Sequence, residues 1–183
     1  MKLADHPIVR GDGYLAREDP SNEPADHFIY DPCFPVQTMG GANCCSPHIV
    51  PWGPYDQRSV EVRSDVLVYS SEPLDKDIEV TGPIKLILFA STNCRDTDFT
   101  AKLVDVSASG YAMNLTDGIL RARYRDSRTN PTLLSPNRIY RYEIDVGVTG
   151  NLFKKGHSIR LEISSSNFPR FDRNLNTGNA KYR

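Results

Sequence analysis

The sequence predicts an all-β fold, a β-sandwich with only minor helix. Three observations carry this. Apolar and polar residues alternate with period two over three separate segments, Gly (12) and Pro (13) punctuate the chain throughout, and no segment shows a convincing 3.6-residue period. Strands and turns spaced in this way suit a sandwich better than a helix bundle or an α/β fold.

Residues 1–25 read as a linker or arm lying on something else. Pro7, Gly11, Gly13, Pro20 and Pro24 interrupt any period there and the charges are mixed. The sandwich is assigned to residues 26–183. Phe28–Tyr30 is a short apolar piece stopped by Asp31-Pro32. Prolines 32, 35, 47, 51 and 54, with Gly40-Gly41, then predict a long loop. Val66–Tyr69 is a β-branched run that reads as a strand. Val80 leads into Gly82-Pro83, and Ile84–Ala90, apolar except for Lys85, reads as a strand buried on both faces. Thr97–Val106 is the next strand, with a turn at Ser109-Gly110.

The alternation is clearest further on. Leu120, Ala122 and Tyr124 oppose Arg121, Arg123 and Arg125. Tyr140, Tyr142, Ile144, Val146 and Val148 oppose Arg141, Glu143 and Asp145. His157, Ile159, Leu161 and Ile163 oppose Ser158, Arg160, Glu162 and Ser164. Each set predicts an antiparallel strand with one buried and one solvated face, which places His157 and the three tyrosines toward the core.

Composition excludes several function classes. Lys and Arg number 22 against 23 Asp and Glu, a net charge of -1, so no nucleic-acid or anionic-membrane partner is expected. No apolar run approaches the roughly 18 residues of a membrane helix. The first eleven residues, MKLADHPIVRG, lack the apolar stretch of a secretory signal, and Cys33, Cys44, Cys45 and Cys94 form no CxxC or repeated framework. A reducing, cytoplasmic location is the expectation.

The chemical motifs are negative. GxSxG is absent, and Ser164-Ser165-Ser166 ends a strand with no helix pattern after it, so no Ser-His-Asp triad is expected from His157 and Asp172. Cys44, Cys45 and His48 have a CCxxH spacing that matches no common zinc site, so no metal or other cofactor is expected. The Arg121, Arg123, Arg125 row is assigned to a solvated or domain-facing surface. One loop stands apart. Ser166–Gly178, SNFPRFDRNLNTG, combines aromatic, basic, acidic and three Asn residues without period. It is either an Asx-turn knot satisfying its own backbone or a docking surface.

YDPCFPVQTMGG (30–41), GPYDQR (53–58), DVLVYSSEPL (65–74), VTGPIKLILFAS (80–91), DTDFTAKLVDV (96–106), DGILRARYR (117–125) and GHSIRLEISSSNFPRFDRNLNTG (156–178) are long and idiosyncratic. Together they resemble the C-terminal domain of the X-Pro dipeptidyl-peptidase and cocaine-esterase-like (CocE/NonD) acyl esterases, serine hydrolases. The resemblance implies a jelly-roll, galactose-binding-like sandwich that follows an α/β-hydrolase domain holding the triad. It carries no catalytic residue onto this chain, so the chain alone is expected to be inactive. It implies that Asn43, Cys44 and Cys45 form part of the substrate-pocket wall. It also implies that Phe168, Arg170, Phe171, Asp172 and Asn174 belong to the surface docked on the hydrolase domain. The partner, in cis or as a separate chain, is then that domain, and self-association into a homo-oligomer is left open. The resemblance further implies that residues 1–25 are the connection from the hydrolase domain and that a last strand is lacking after Arg183. A stand-alone carbohydrate-binding sandwich, with Trp52 and Tyr55 stacking on sugar, is the alternative function.

Overall fold

The structure is a computed structural model and describes residues 12–18, 24–43 and 48–179. It is an all-β sandwich, as the alternation predicts. One sheet has five strands in the order β1 (Asp12–Tyr14), β2 (Leu67–Ser70), β7 (Ser158–Ser164), β4 (Asp98–Val106), β5 (Ala112–Arg121). The other pairs two long strands, β3 (Ile78–Ala90) and β6 (Tyr140–Phe153). All pairs are antiparallel except β1 on β2, which is parallel. Among the described residues helix is confined to one turn, α1 (Arg58–Glu61), and a 3-10 turn at Ala122–Tyr124.

The core lies between the sheets. Phe99 and Ala101 of β4 pack with Tyr142, Ile144 and Val146 of β6, flanked by Leu86, Leu88, Leu120 and Leu161. The Phe99 and Tyr142 rings are tilted together with centroids 4.8 Å apart. Burying each such side chain contributes about 2 kcal/mol, so this layer supplies the main driving force for closure. The sheets come closest beside Gly118, where a Cβ would sit 1.9 Å from the Asp145 carbonyl oxygen. Thr116 Oγ1 donates to the Val146 carbonyl at 2.6 Å at the same edge, so a side chain at 118 would pry the sheets apart.

The expected strands exist, but their surroundings differ from expectation in several places. Residues 12–14, inside the expected arm, form β1 at the edge of the large sheet. Phe28–Tyr30 is not a strand; the Tyr30 hydroxyl donates to the Asn174 carbonyl at 3.0 Å. Gly82-Pro83 does not precede a strand but lies inside β3, which a proline tolerates because β3 is an edge strand. Ile84–Ala90 is covered on one face, not two: Ile87 and Phe89 point outward. Among the described residues β3 pairs with β6, and Ile87 and Phe89 on its outer face are uncovered.

The arginine row is also corrected. β5 ends at Arg121, and the chain turns tightly at Ala122–Tyr124 instead of continuing the alternation. Arg121 Nε pairs with Asp98 at 2.9 Å and Arg123 with Asp96 at 2.8 Å, while Arg125 donates to the carbonyls of Ala122 and Thr132. These side chains are internal struts, not a solvated stripe. Tyr124, freed from the strand phase, is exposed, whereas Tyr142 is fully buried and Tyr140 partly so. His157 lies just before β7 and off the apolar core; its Nδ1 is 2.7 Å from Asp105 Oδ1. Glu162 and Ser164, expected at a solvated face, are buried.

Candidate docking layer and pocket-wall loop

Those buried polar residues define the second side of the five-stranded sheet. Period two sends Phe99 and Ala101 inward, so Asp98, Thr100 and Lys102 must point outward; Arg160, Glu162 and Ser164 on β7, and Asp117 and Arg121 on β5, do the same. Solvent does not reach most of them. The described parts of two largely irregular segments, residues 30–43 with 48–61 and residues 165–179, lie over this face as a covering layer. Val36, Val60, Val66 and Val68 form a small apolar patch beneath it.

The layer is fixed by side chains reaching across long stretches of sequence. Gln57, fully buried, donates from Nε2 to the carbonyls of Met39 and Tyr55, and its Oε1 accepts from Lys102 Nζ at 2.8 Å. Val36 and Phe168 run alongside one another: the Phe168 amide donates to the Val36 carbonyl at 2.9 Å and the Thr38 amide to the Phe168 carbonyl at 2.7 Å. Ser166 Oγ accepts from the Val36 amide. Thr100 and Ser164 share a hydroxyl hydrogen bond at 2.6 Å.

The Ser166–Gly178 loop divides into two kinds of residue. Asp117 receives Arg170 on one oxygen and Asn167 Nδ2 on the other. The Arg170 guanidinium lies 4.9 Å from the centroid of the Phe171 ring. Asn174, buried, donates to both Asp96 and Asp98 at 2.8 Å, and its own Oδ1 accepts from the Asn176 amide in an Asx turn. Burial raises the Asp98 carboxyl above its ordinary range, against the hydrogen bonds from Arg121 and Asn174 that pull it down. Phe168 and Asp172 point to solvent. The loop is thus a polar knot with an exposed rim.

Gly40 and Gly41 start the other loop, with φ of 72° and 96°. Gly41 and Gly53 exchange two backbone hydrogen bonds at 2.8 and 2.9 Å, closing residues 41–53 into a loop with a narrow neck. A Cβ at Gly40 would meet the Gly53 carbonyl oxygen at 2.5 Å, so only glycine fits there. Asn43 spends its amide inside the neck, donating to the carbonyls of Gly40 at 2.7 Å and Pro51 at 3.2 Å. Cys44 and Cys45 lie outside the described residues. The layer's solvent side bears Phe34, Ile49 and Trp52, exposed by 72%, 74% and 50%, together with Tyr55.

A third group lies where α1 meets the sheet. Glu162 is buried among Lys102, whose Nζ is 3.3 Å from Oε2, and Glu61 of α1. Arg160 Nη1 donates to Glu61 Oε2 at 2.8 Å and Arg160 Nε to Ser70 Oγ at 2.7 Å. Burial, with Glu61 close by, raises the Glu162 carboxyl to about 7 despite the Lys102 ammonium. Beside it opens a cleft of about 370 Å³ lined in part by Tyr14, Glu61, Glu72 and Arg160. Among the described residues no three His, Cys, Asp or Glu side chains converge as metal ligands, and no helix is long and apolar enough to cross a membrane.

Sequence reasoning missed Gln57, Lys102, Asp117 and Glu162. Each sits in a period-two segment or a loop where a polar residue reads as solvated. The usable signal was indirect: two long irregular segments need somewhere to lie.

Residues 11–182 match the family model of the X-Pro dipeptidyl-peptidase C-terminal non-catalytic domain. The chain belongs to this family. It is 48% identical over 168 residues to cocaine esterase of Rhodococcus sp. (strain MB1 Bresler), covering 92% of this chain and 29% of that protein. Among solved structures it resembles an aminopeptidase from a marine sediment archaeon, Thaumarchaeota archaeon, with a TM-score of 0.84 and 32% identity. That match covers 92% of this chain and 30% of the other. An α-amino acid ester hydrolase matches with a TM-score of 0.81 and 30% identity, over 94% of this chain and 30% of its own. The chain therefore spans under a third of the length of these relatives, and corresponds to the non-catalytic C-terminal domain of the family.

Proposed function

We propose that this domain packs through its covering layer on an α/β-hydrolase domain of an acyl esterase or dipeptidyl-peptidase and completes that domain's substrate pocket. The observation that carries the reading is the apolar exposure of Phe34, Ile49 and Trp52 on a layer whose backbone is rigidly tied to the sheet. An exposed aromatic on a fixed support is what a docked partner uses as an anchor. The outer face of β3 and β6 is less suited, since the Lys85–Glu143 and Arg141–Glu143 ion pairs run across its apolar residues.

In this reading Asn43 holds the neck of the pocket-wall loop, with Cys44 and Cys45 next along it. Phe168 and Asp172 make contact with the partner. Arg170, Phe171 and Asn174 position them by tying the loop to Asp117, Asp96 and Asp98. The free thiols of Cys33 and Cys94 fit a reducing compartment, the cytoplasm.

The test is co-expression with a family hydrolase domain. Co-purification and turnover of a p-nitrophenyl ester by the pair, both reduced at least tenfold by a Phe34→Asp, Trp52→Asp double variant that melts like the parent, are expected. Failure to associate refutes the docking. Inhibitor-sensitive turnover by the chain alone refutes the non-catalytic role. Retention on polysaccharide, lost in Trp52→Ala, would transfer the assignment to carbohydrate binding.

A further inference from the structure

The buried carboxyl pair at the α1–sheet junction has a use that packing alone does not explain. Glu162 Oε1 and Oε2 and Glu61 Oε1 are all buried, and among the described residues the donor near them is Lys102 Nζ, paired with Glu162 Oε2 at 3.3 Å. Arg160, two residues before Glu162 on the same face of β7, holds Glu61 Oε2 at 2.8 Å and so brings the two carboxyl groups side by side. Two carboxylates cannot satisfy one another, because both only accept; one proton between them converts the contact into a donor–acceptor pair. The nearest ammonium, Lys102 Nζ, makes its short bond to Gln57 at 2.8 Å and stands 3.3 Å from Glu162. Glu61 is already charge-paired through Oε2 to Arg160. Lys102 from β4, Glu61 from α1 and Arg160 from β7 are the charged groups around the pair; Val68 of β2, the other neighbour, carries none.

We propose that Glu162 is protonated when the covering layer is closed, donates to Glu61, and so makes the attachment of α1 to the sheet a pH-sensitive latch. On deprotonation the proton passes to solvent, Glu162 remains beside Lys102, and the two carboxylates repel, pushing Glu61 and α1 away from β7. The latch is independent of whatever docks on the layer.

The sign follows from the raised carboxyl. With α1 lifted, Glu162 returns toward its ordinary value of 4.5, so the closed state binds the extra proton between that value and about 7. The latch is therefore fully engaged below the lower value, and its contribution is lost as pH rises through the upper one. Above that the opening no longer depends on pH.

The experiment is native-state hydrogen exchange on the 183-residue chain from pH 5 to 8, read at the amides of Val60, Glu61 and Arg63 and corrected for intrinsic exchange. Their protection is expected to fall about tenfold per unit up to pH 7 and then level off, while the amides of Ala101 and Ile144 change little. Glu162→Gln keeps a donor at every pH and should abolish the slope, and Glu61→Gln, which removes the second carboxylate, should do the same. A carbon-detected titration of the wild-type Glu162 carboxyl needs no variant to fold. A midpoint near 7 supports the proposal, and one near the ordinary 4.5 overturns it, as does a pH-independent α1.

Discussion

The two faces of the five-stranded sheet are built from the same strands by different physics. The face toward β3 and β6 is apolar, with Phe99, Ala101 and Leu161 meeting Tyr142, Ile144 and Val146, and Ile163 packing with Leu86 and Leu88. The opposite face carries Asp98, Lys102, Asp117, Arg121, Arg160 and Glu162, yet Asp98, Lys102, Asp117 and Glu162 are as inaccessible as core residues. Apolar burial on the first face stabilises roughly in proportion to area and tolerates many shapes. Buried ion pairs on the second gain little net stability, since desolvation offsets attraction, but each demands a particular partner. One face makes the sheets close. The other selects how 30–43, 48–61 and 165–179 lie, and so fixes the orientation of Phe34, Trp52 and Phe168.

The comparison breaks most sharply at its extremes. Tyr142→Ala empties the centre of the inner face and should cost about 4 kcal/mol in chemical denaturation. Asp117→Ala leaves Arg170 and Asn167 without their acceptor and should cost roughly 3 kcal/mol. Its signature differs from that of a core cavity: proteolysis within 165–179 should begin while the inner-sheet amides stay protected. If the loop is cut no faster, the polar face does not hold it. Tyr142→Phe is the smallest and most pointed case. The Tyr142 hydroxyl is buried without a hydrogen-bond partner among the described residues, and burial pushes its phenol up to about 12. Removing the oxygen should leave stability unchanged or raise it by up to about 1 kcal/mol, and a loss of more than that would mean the hydroxyl has a partner.

Strand positions were legible in the sequence because side chains alternate with period two whatever lies on either side. The strands over 140–148 and 157–164 could be placed from that alone. What the alternation cannot state is whether the polar phase meets water. Glu162 reads as solvent-facing because its cover comes from Glu61, about a hundred positions away. Arg121, Arg123 and Arg125 misled for a related reason: three charges at period two look like a strand edge, yet the acceptors Asp96 and Asp98 bend the chain into a turn and draw the side chains in.

The loops divide along the same line. Gly40-Gly41 announced a turn because a positive φ favours glycine locally. The Ser166–Gly178 loop left knot and docking surface unresolved, since both use the same polar residues. In the fold Asn167, Arg170 and Asn174 are spent on Asp117, Asp96 and Asp98, while Phe168 and Asp172 remain at the rim.

By itself, then, the sequence determined the all-β class, the lack of a nucleophile motif and the family of the domain, because these rest on local period and contiguous motifs. Tertiary structure alone decided which charges are buried, which partners they take and which aromatics are left facing outward. Those properties depend on contacts between distant segments, such as the Val36 amide on Ser166 and Asn174 on Asp96, and no local pattern encodes them.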